Sequence, residues 1–217
     1  MKTTNFIPHW RQCTDTSCLF RFPVTEEQYQ SINCPRCGIE TQSLSTITHE
    51  VQPAPAHHHF PQITLILDNL RSVFNVGSIF RSSDGCGLVK QIHLCGTTPT
   101  PDHKKFGKTA LGSEHSIPWQ YHPNAYNLCQ KMKENSIPVW SLEMTARSTN
   151  LYELSHAEII KQPEITIVVG NEVAGIDPDI LEISDHILHL PLHGIKESLN
   201  VAIALSIAIY HLYSFHH

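Results

Sequence analysis

Short runs of almost purely apolar, β-favouring residues leave a chain few ways to fold. Ile63-Thr64-Leu65-Ile66-Leu67 and Ile165-Thr166-Ile167-Val168-Val169 are such runs. A strand without a polar face needs cover on both sides, which a sheet between two helical layers supplies. Gln91–Cys95, Pro138–Leu142 and His186–Leu190 read as further strands. Helices are expected from Asn75 to Cys86, over 124–135 and 178–183, and from Ser198 to about Phe215. Asn75 and Ser198 are the expected N-caps, with Gly87 just past the first helix. A long polar loop fills 96–116. This alternation predicts an α/β domain with a mostly parallel sheet, whose ligands bind beyond the C-terminal ends of the strands.

That pattern starts only near residue 63. Ahead of it, four of the seven cysteines fall as Cys13-x4-Cys18 and Cys34-Pro-Arg-Cys37-Gly38. An odd total argues against a closed disulfide framework. Two close pairs suit a four-thiolate zinc site, with Gly38 letting amides approach the second pair. A segment this short buries little core and needs such a staple. Residues 42–62, QSLSTITHEVQPAPAHHHFPQ, read as a linker, and His57, His58 and His59 within it as solvated. The expected organisation is a zinc-ribbon-like segment at 1–41, a linker at 42–62 and one compact domain at 63–217. With 15 Lys+Arg against 20 Asp+Glu, the chain is not a polycation that coats nucleic acid by bulk charge. The longest apolar stretch, Leu199–Tyr210, is short of the roughly 20 residues that span a bilayer. No secretory signal is apparent, so no membrane is expected and the cytoplasm is the expected compartment.

Several familiar motifs fail. Gly85-Cys86-Gly87 follows a helix and lacks the third glycine of a dinucleotide fingerprint. Gly107-Lys108-Thr109 lacks the first glycine of a P-loop, because position 102 is Asp. His186, His189 and His193 do not share a helical face and read as surface or half-buried. Three segments remain. Asn75-Val-Gly-Ser-Ile-Phe-Arg81 opens a helix, where free amides and the dipole favour an anion such as phosphate. Arg81 lies about 9 Å further along the axis at ~1.5 Å per residue. Gly170-Asn171-Glu172-Val-Ala-Gly175-Ile176 follows a buried strand, with glycines that permit close backbone approach to a ligand. An acid there needs a partner or a function. Leu190-Pro-Leu-His-Gly-Ile-Lys-Glu-Ser198-Leu199-Asn200 joins a strand to the terminal helix.

Together, NVGSIFRSSDGCG (75–87), IVVGNEVAGI (167–176) and LPLHGIKESLNVAIAL (190–205) resemble the SpoU/TrmH branch of the SPOUT RNA methyltransferases, as does KTALGSEHSIPW (108–119). The resemblance runs from about Ile63 to about Tyr213, and the cysteine segment is an appendage to it. It implies a mostly parallel sheet whose C-terminal part is threaded into a trefoil knot. It implies S-adenosylmethionine held by backbone groups of Gly170, Leu190, Leu199 and Leu142, and methyl transfer to a ribose 2′-hydroxyl in tRNA or rRNA. Asn75, Arg81, Glu172, Ser198 and Asn200 match the catalytic positions. Arg81 matches an arginine often taken as the base, but a guanidinium stays protonated to about pH 12. It is better suited to binding the adjacent phosphate and stabilising alkoxide charge. The implied roles of Asn75 and Glu172 are to orient Arg81, and those of Ser198 and Asn200 to position loop, cofactor or ribose.

RNA binding requires local positive charge. Lys104, Lys105 and Lys108 supply it in the long loop, with Arg71 and Arg81 extending the patch. In the cysteine segment, Arg11, Arg21 and Arg36 interleave with Trp10, Phe20 and Phe22. The terminal helix is apolar nearly all round and must be buried. The resemblance implies a homodimer. Two alternatives remain open: a catalytically silent RNA-binding factor on the same fold, and a SPOUT enzyme that methylates a base.

Overall fold

The structure, a computed structural model, describes residues 9–25, 29–46 and 61–215. The chain divides into two compact units at residues 56/57. Most of the expected linker, including His57–His59, lies outside the described residues. In the first unit β1 (His9–Cys13), β2 (Arg21–Val24) and β3 (Thr41–Thr46) form an antiparallel sheet ordered β2-β1-β3. Residues 42–46, expected as the start of the linker, are therefore sheet. Their Ser/Thr-rich sequence carries no apolar pattern, and backbone pairing of Ser43 with Arg11 and Gln42 with Gln12 makes the strand. Arg11 is committed to this sheet: its guanidinium donates to Thr41 Oγ1 at 2.7 Å and to the Thr41 carbonyl at 3.2 Å.

The second unit carries β4 (Gln62–Asp68), α1 (Val73–Cys86), β5 (Val89–Cys95), α2 (Gly107–Ala110), β6 (Trp119–His122), α3 (Ala125–Glu134), β7 (Val139–Leu142), β8 (Thr149–Asn150), α4 (His156–Ile160), β9 (Glu164–Val169), α5 (Pro178–Ile183), β10 (His186–His189) and α6 (Val201–Ser214). Its seven strands are all parallel and ordered β6-β5-β4-β9-β7-β10-β8. The α/β class expected from the sequence is the one found. Alternation along the central strands divides the core. Ile63, Leu65 and Leu67 pack with Ile79 and Phe80 of α1 and Leu205 and Ile209 of α6. Ile66 and Val168 face the other way, with Leu128 of α3 and Ile180 of α5.

Both expected N-caps move. α1 begins at Val73 with Ser72 as its cap, the Ser72 hydroxyl accepting from the Asn75 amide. Asn75 is thus inside the first turn. α6 begins at Val201, capped by Asn200, whose Oδ1 accepts from the Ala202 and Ile203 amides; Ser198 lies in the preceding loop. Ser and Asn both cap well, so residue type alone does not choose between them. Gly87 does close α1, in the left-handed region at φ 73°. The 96–116 stretch is not wholly loop, since α2 packs on α1. A Cβ on Gly77 would lie 2.2 Å from Thr109 Oγ1, and Phe80 meets Phe106 edge-on at 5.2 Å. α6 is buried on one face only. Within the chain, Ile203 stays 54% and Tyr210 44% exposed. No helix among the described residues is long and apolar enough to cross a membrane.

Candidate active site

Leu142 ends β7, Gly170 follows β9 and Leu190 follows β10, so three neighbouring parallel strands deliver their C-terminal ends to one place. A cleft of about 750 Å³ opens there. All four expected cofactor positions, Leu142, Gly170, Leu190 and Leu199, line it, as do Glu172, Ser198 and Asn200. Leu190 is buried, while Leu199 is 40% exposed.

The β9 turn explains its own glycines. Asn171 and Gly175 exchange backbone hydrogen bonds of 3.0 and 2.9 Å. A Cβ on Gly170 would lie 2.4 Å from the Gly175 carbonyl and the Ile176 nitrogen. Gly170 is therefore needed first for the turn to fold back on itself. The Asn171 side chain, absent from the expected site, organises this turn. Its Oδ1 accepts from the Val173 and Ala174 amides at 2.9 and 3.0 Å, and its Nδ2 donates to the Asn69 carbonyl at 2.7 Å. An Asn directly after a buried strand is a turn former of this kind, which is the signal that would have found it.

The Glu172 carboxylate sits ahead of α1. It accepts from the Arg71 amide at 2.9 Å, the Ser72 amide at 3.2 Å and Asn75 Nδ2 at 2.8 Å. Burial works against its charge, but those donors outweigh burial and hold the carboxyl below its usual pKa. The anion expected at this helix start is thus the chain's own. Asn75 Oδ1 in turn accepts from Asn200 Nδ2 at 3.0 Å. Because Asn75 gives its NH2 to a carboxylate and Asn200 gives its oxygen to the α6 amides, both amide orientations are fixed. Glu172–Asn75–Asn200 ties the three motif segments together.

Arg81 stands apart from this chain of bonds. It is exposed on α1, and no hydrogen bond or ion pair joins it to Asn75, Glu172 or any other described residue. Asn75 and Glu172 orient each other instead. Lys104, Lys105 and Lys108 are also exposed and lack ion-pair partners among the described residues. Lys105 directly precedes Phe106 in the chain, and Arg81 directly follows Phe80 on α1. His189 reaches the cleft wall with its Nδ1 2.9 Å from Ser148 Oγ, and His186 packs edge-on against Trp140.

In the first unit, the Sγ atoms of Cys13, Cys18, Cys34 and Cys37 lie within 4.8 Å of one another. Cys13 and Cys37 are 3.4 Å apart, and Cys18 and Cys34 3.9 Å apart. Burial opposes the Cys34 thiolate, but the Arg36 and Cys37 amides outweigh it and bring the thiol down to about 7. Gly38, at φ 79°, closes the turn after those amides, its own amide donating to the Cys34 carbonyl at 2.9 Å.

A parallel α/β sheet with a cleft at its strand ends, bordered by a carboxylate–amide–amide chain, defines the class of site. The SpoU rRNA methylase family model matches residues 62–210, and the chain belongs to that family. It is 29% identical over 194 residues to the 23S rRNA (guanosine(2553)-2′-O)-methyltransferase RlmP of Bacillus subtilis, covering 83% of this chain and 73% of that one. It is 23% identical over 152 residues to the tRNA (guanosine(18)-2′-O)-methyltransferase of Thermus thermophilus, covering 69% and 73%. An AdoMet-bound rRNA methyltransferase from Sinorhizobium meliloti shares the fold, with a TM-score of 0.64 at 22% identity over 73% of this chain and 58% of that chain. The A. aeolicus TrmH/SpoU tRNA modifying enzyme does so with a TM-score of 0.61 at 23% identity over 72% and 76%.

Proposed function

We propose that the chain transfers a methyl group from S-adenosylmethionine to a ribose 2′-hydroxyl of tRNA or rRNA. The observation that carries this reading is the convergence of Gly170, Leu190, Leu199 and Leu142 on one cleft of about 750 Å³. That is within the roughly 300–1,000 Å³ typical of small-molecule sites. Apolar walls suit an adenine and backbone groups suit its polar edges. The bound cofactor supplies an electrophilic sulfonium methyl. The 2′-hydroxyl is a weak nucleophile that must be oriented and must lose its proton as it attacks. In this reading Glu172, Asn75 and Asn200 hold the three loops in register, and Ser198 faces the ribose. Arg81 binds the neighbouring phosphate and stabilises the developing alkoxide. Its exposure and its lack of a partner among the described residues support an RNA-facing role, and the exposed Lys104, Lys105 and Lys108 add positive charge in the same unit.

The uncovered apolar face of α6, with Ile203 and Tyr210, supports a homodimer in which Arg81 serves the partner's cleft. The placement of β10 between the earlier strands β7 and β8 supports the threaded, knotted chain. The four cysteines support a structural zinc site. A tetrahedron of ~2.3 Å Zn–S bonds has edges near ~3.8 Å, and the Cys13–Cys37 and Cys18–Cys34 separations of 3.4 and 3.9 Å bracket that length. Cysteine usage of this kind supports a reducing, cytoplasmic setting.

The test is methyl transfer from labelled S-adenosylmethionine to unmodified tRNA and rRNA pools, with the product digested to nucleosides. Wild type is expected to make a 2′-O-methyl nucleoside. Arg81→Ala is expected to lose about 10²–10³-fold in rate, the scale seen when one oxyanion donor is removed. A methylated base refutes the ribose assignment, and equal rates for the two proteins refute the role given to Arg81.

A further inference from the structure

The cleft is lined by three acids, Glu143, Glu172 and Glu197, and by neither Lys nor Arg. The three are not equivalent. Glu172 is committed to its three donors ahead of α1. Glu197 lies on the exposed 193–200 loop, where water screens its charge. Glu143 is half-buried directly after β7. Its amide donates to the Leu188 carbonyl at 2.9 Å, which fixes its backbone against β10. Its Oε2 accepts from the Ile176 amide at 3.2 Å. The carboxylate also fills the space beside Gly175, where a Cβ would meet Oε2 at 3.0 Å. Oε1 has no hydrogen-bond partner among the described residues. Anchoring the Ile176 amide needs only a neutral acceptor, so the negative charge at this half-buried point calls for a further explanation.

We propose that Glu143 makes the cleft prefer the cationic methyl donor over its neutral by-product. This rests on the cofactor reading of the same cleft. S-adenosylmethionine and S-adenosylhomocysteine differ by one methyl and one positive charge. In the transfer the S–CH3 bond breaks with its electron pair passing to sulfur, the ribose O–CH3 bond forms, and the hydroxyl proton leaves to solvent. The sulfonium charge therefore disappears at each turnover. A carboxylate in a partly dry cleft attracts the donor and has no such hold on the product. Glu143 acts here on specificity and exchange and takes no part in moving the proton.

The experiment is calorimetric binding of S-adenosylmethionine and, separately, of S-adenosylhomocysteine to the full chain, wild type and Glu143→Gln. Gln keeps the size and an acceptor for the Ile176 amide while removing the charge. Wild type is expected to bind the donor more tightly. Glu143→Gln is expected to weaken donor binding about tenfold, about 1.4 kcal/mol, while by-product binding stays within about twofold. The wild-type preference is also expected to shrink at high salt. Equal weakening of both ligands identifies Glu143 as a structural anchor only and overturns the proposal, as does an unchanged ratio. Equal wild-type affinities overturn it while leaving the cofactor reading standing. Failure of wild type to bind either ligand removes the cofactor reading and the proposal with it.

Discussion

The two units of this chain are held together by different chemistry. In the larger, Ile63, Leu65, Ile66 and Leu67 of one strand are all fully buried, and helices cover both faces of the sheet. In the smaller, the buried described residues are Cys13, Val24, Cys34 and Thr41, and half of these are thiols. A parallel sheet buried on both faces stabilises itself by area removed from water. Three short strands with one buried aliphatic side chain among the described residues lack that area. The metal proposed at the four thiolates would supply the cross-link that the described apolar residues of the smaller unit do not.

The sharpest way to break this comparison is to strip the metal proposed at the four thiolates. Structural zinc sites contribute on the order of 10–16 kcal/mol of binding free energy to folding. A strong chelator, or Cys34→Ser, is expected to unfold the smaller unit and leave the larger one intact. The indole resonances read this directly: Trp10 reports on β1, and Trp140, 2% exposed, reports on the large core. Loss of the native Trp10 signal with Trp140 unmoved is the expected result. A native Trp10 signal in metal-free protein means that the small sheet and its Phe20–Phe22–Tyr29 cluster stand without the staple.

The same contrast governed what the residues disclosed in advance. β4 and β9 were legible because apolar, β-branched runs of their length have few alternatives. β6 (WQYH) and β8 (TN) were not: both are edge strands, and β6 is only half-covered. β3 was hidden because its Ser and Thr residues are placed by pairing with β1. At the site, the residue types of the cleft were legible, and so was their meeting at the strand ends. The identity of each partner was not. Glu172 is about a hundred residues from Arg71, Ser72 and Asn75, and no local pattern says that it satisfies those donors and leaves Arg81 free. Glu143 and Asn171 were passed over because one residue after a strand is ordinary until the neighbouring turn is seen.

A second, smaller test uses pH on the large unit. His93 on β5 is 5% exposed and lies 3.0 Å from His122 on β6. Burial, then the charges of His122 and Lys90, bring its pKa down to about 4 from an ordinary 6.5. The folded value is below the unfolded one, so the unfolded chain binds the proton first as pH falls. The contribution of neutral His93 is fully present above pH 6.5 and is lost progressively down to pH 4. At ~1.36 kcal/mol per unit this amounts to about 3 kcal/mol. Melts followed at Trp140 are expected to decline across that window, and His93→Gln is expected to flatten the decline. An equally steep decline in the variant assigns the sensitivity to other groups.

The smallest expected effect tests whether the site, like the core beneath it, is held by several independent ties. Ser72 caps α1 through its hydroxyl at 3.3 Å from the Asn75 amide, while its own amide donates to Glu172. Ser72→Ala removes the first bond and keeps the second. Loss of such a cap typically costs about 1 kcal/mol. If the Glu172–Asn75–Asn200 chain independently fixes the start of α1, Ser72→Ala lowers stability by that amount and leaves the Asn75 side-chain amide resonances in place. If the cap is what sets the register of Asn75, those resonances shift and the stability loss grows well beyond a single cap, because Asn75 then releases both Glu172 and Asn200. The second outcome would mean that the helix start, and not the carboxylate in front of it, holds the three motif segments together.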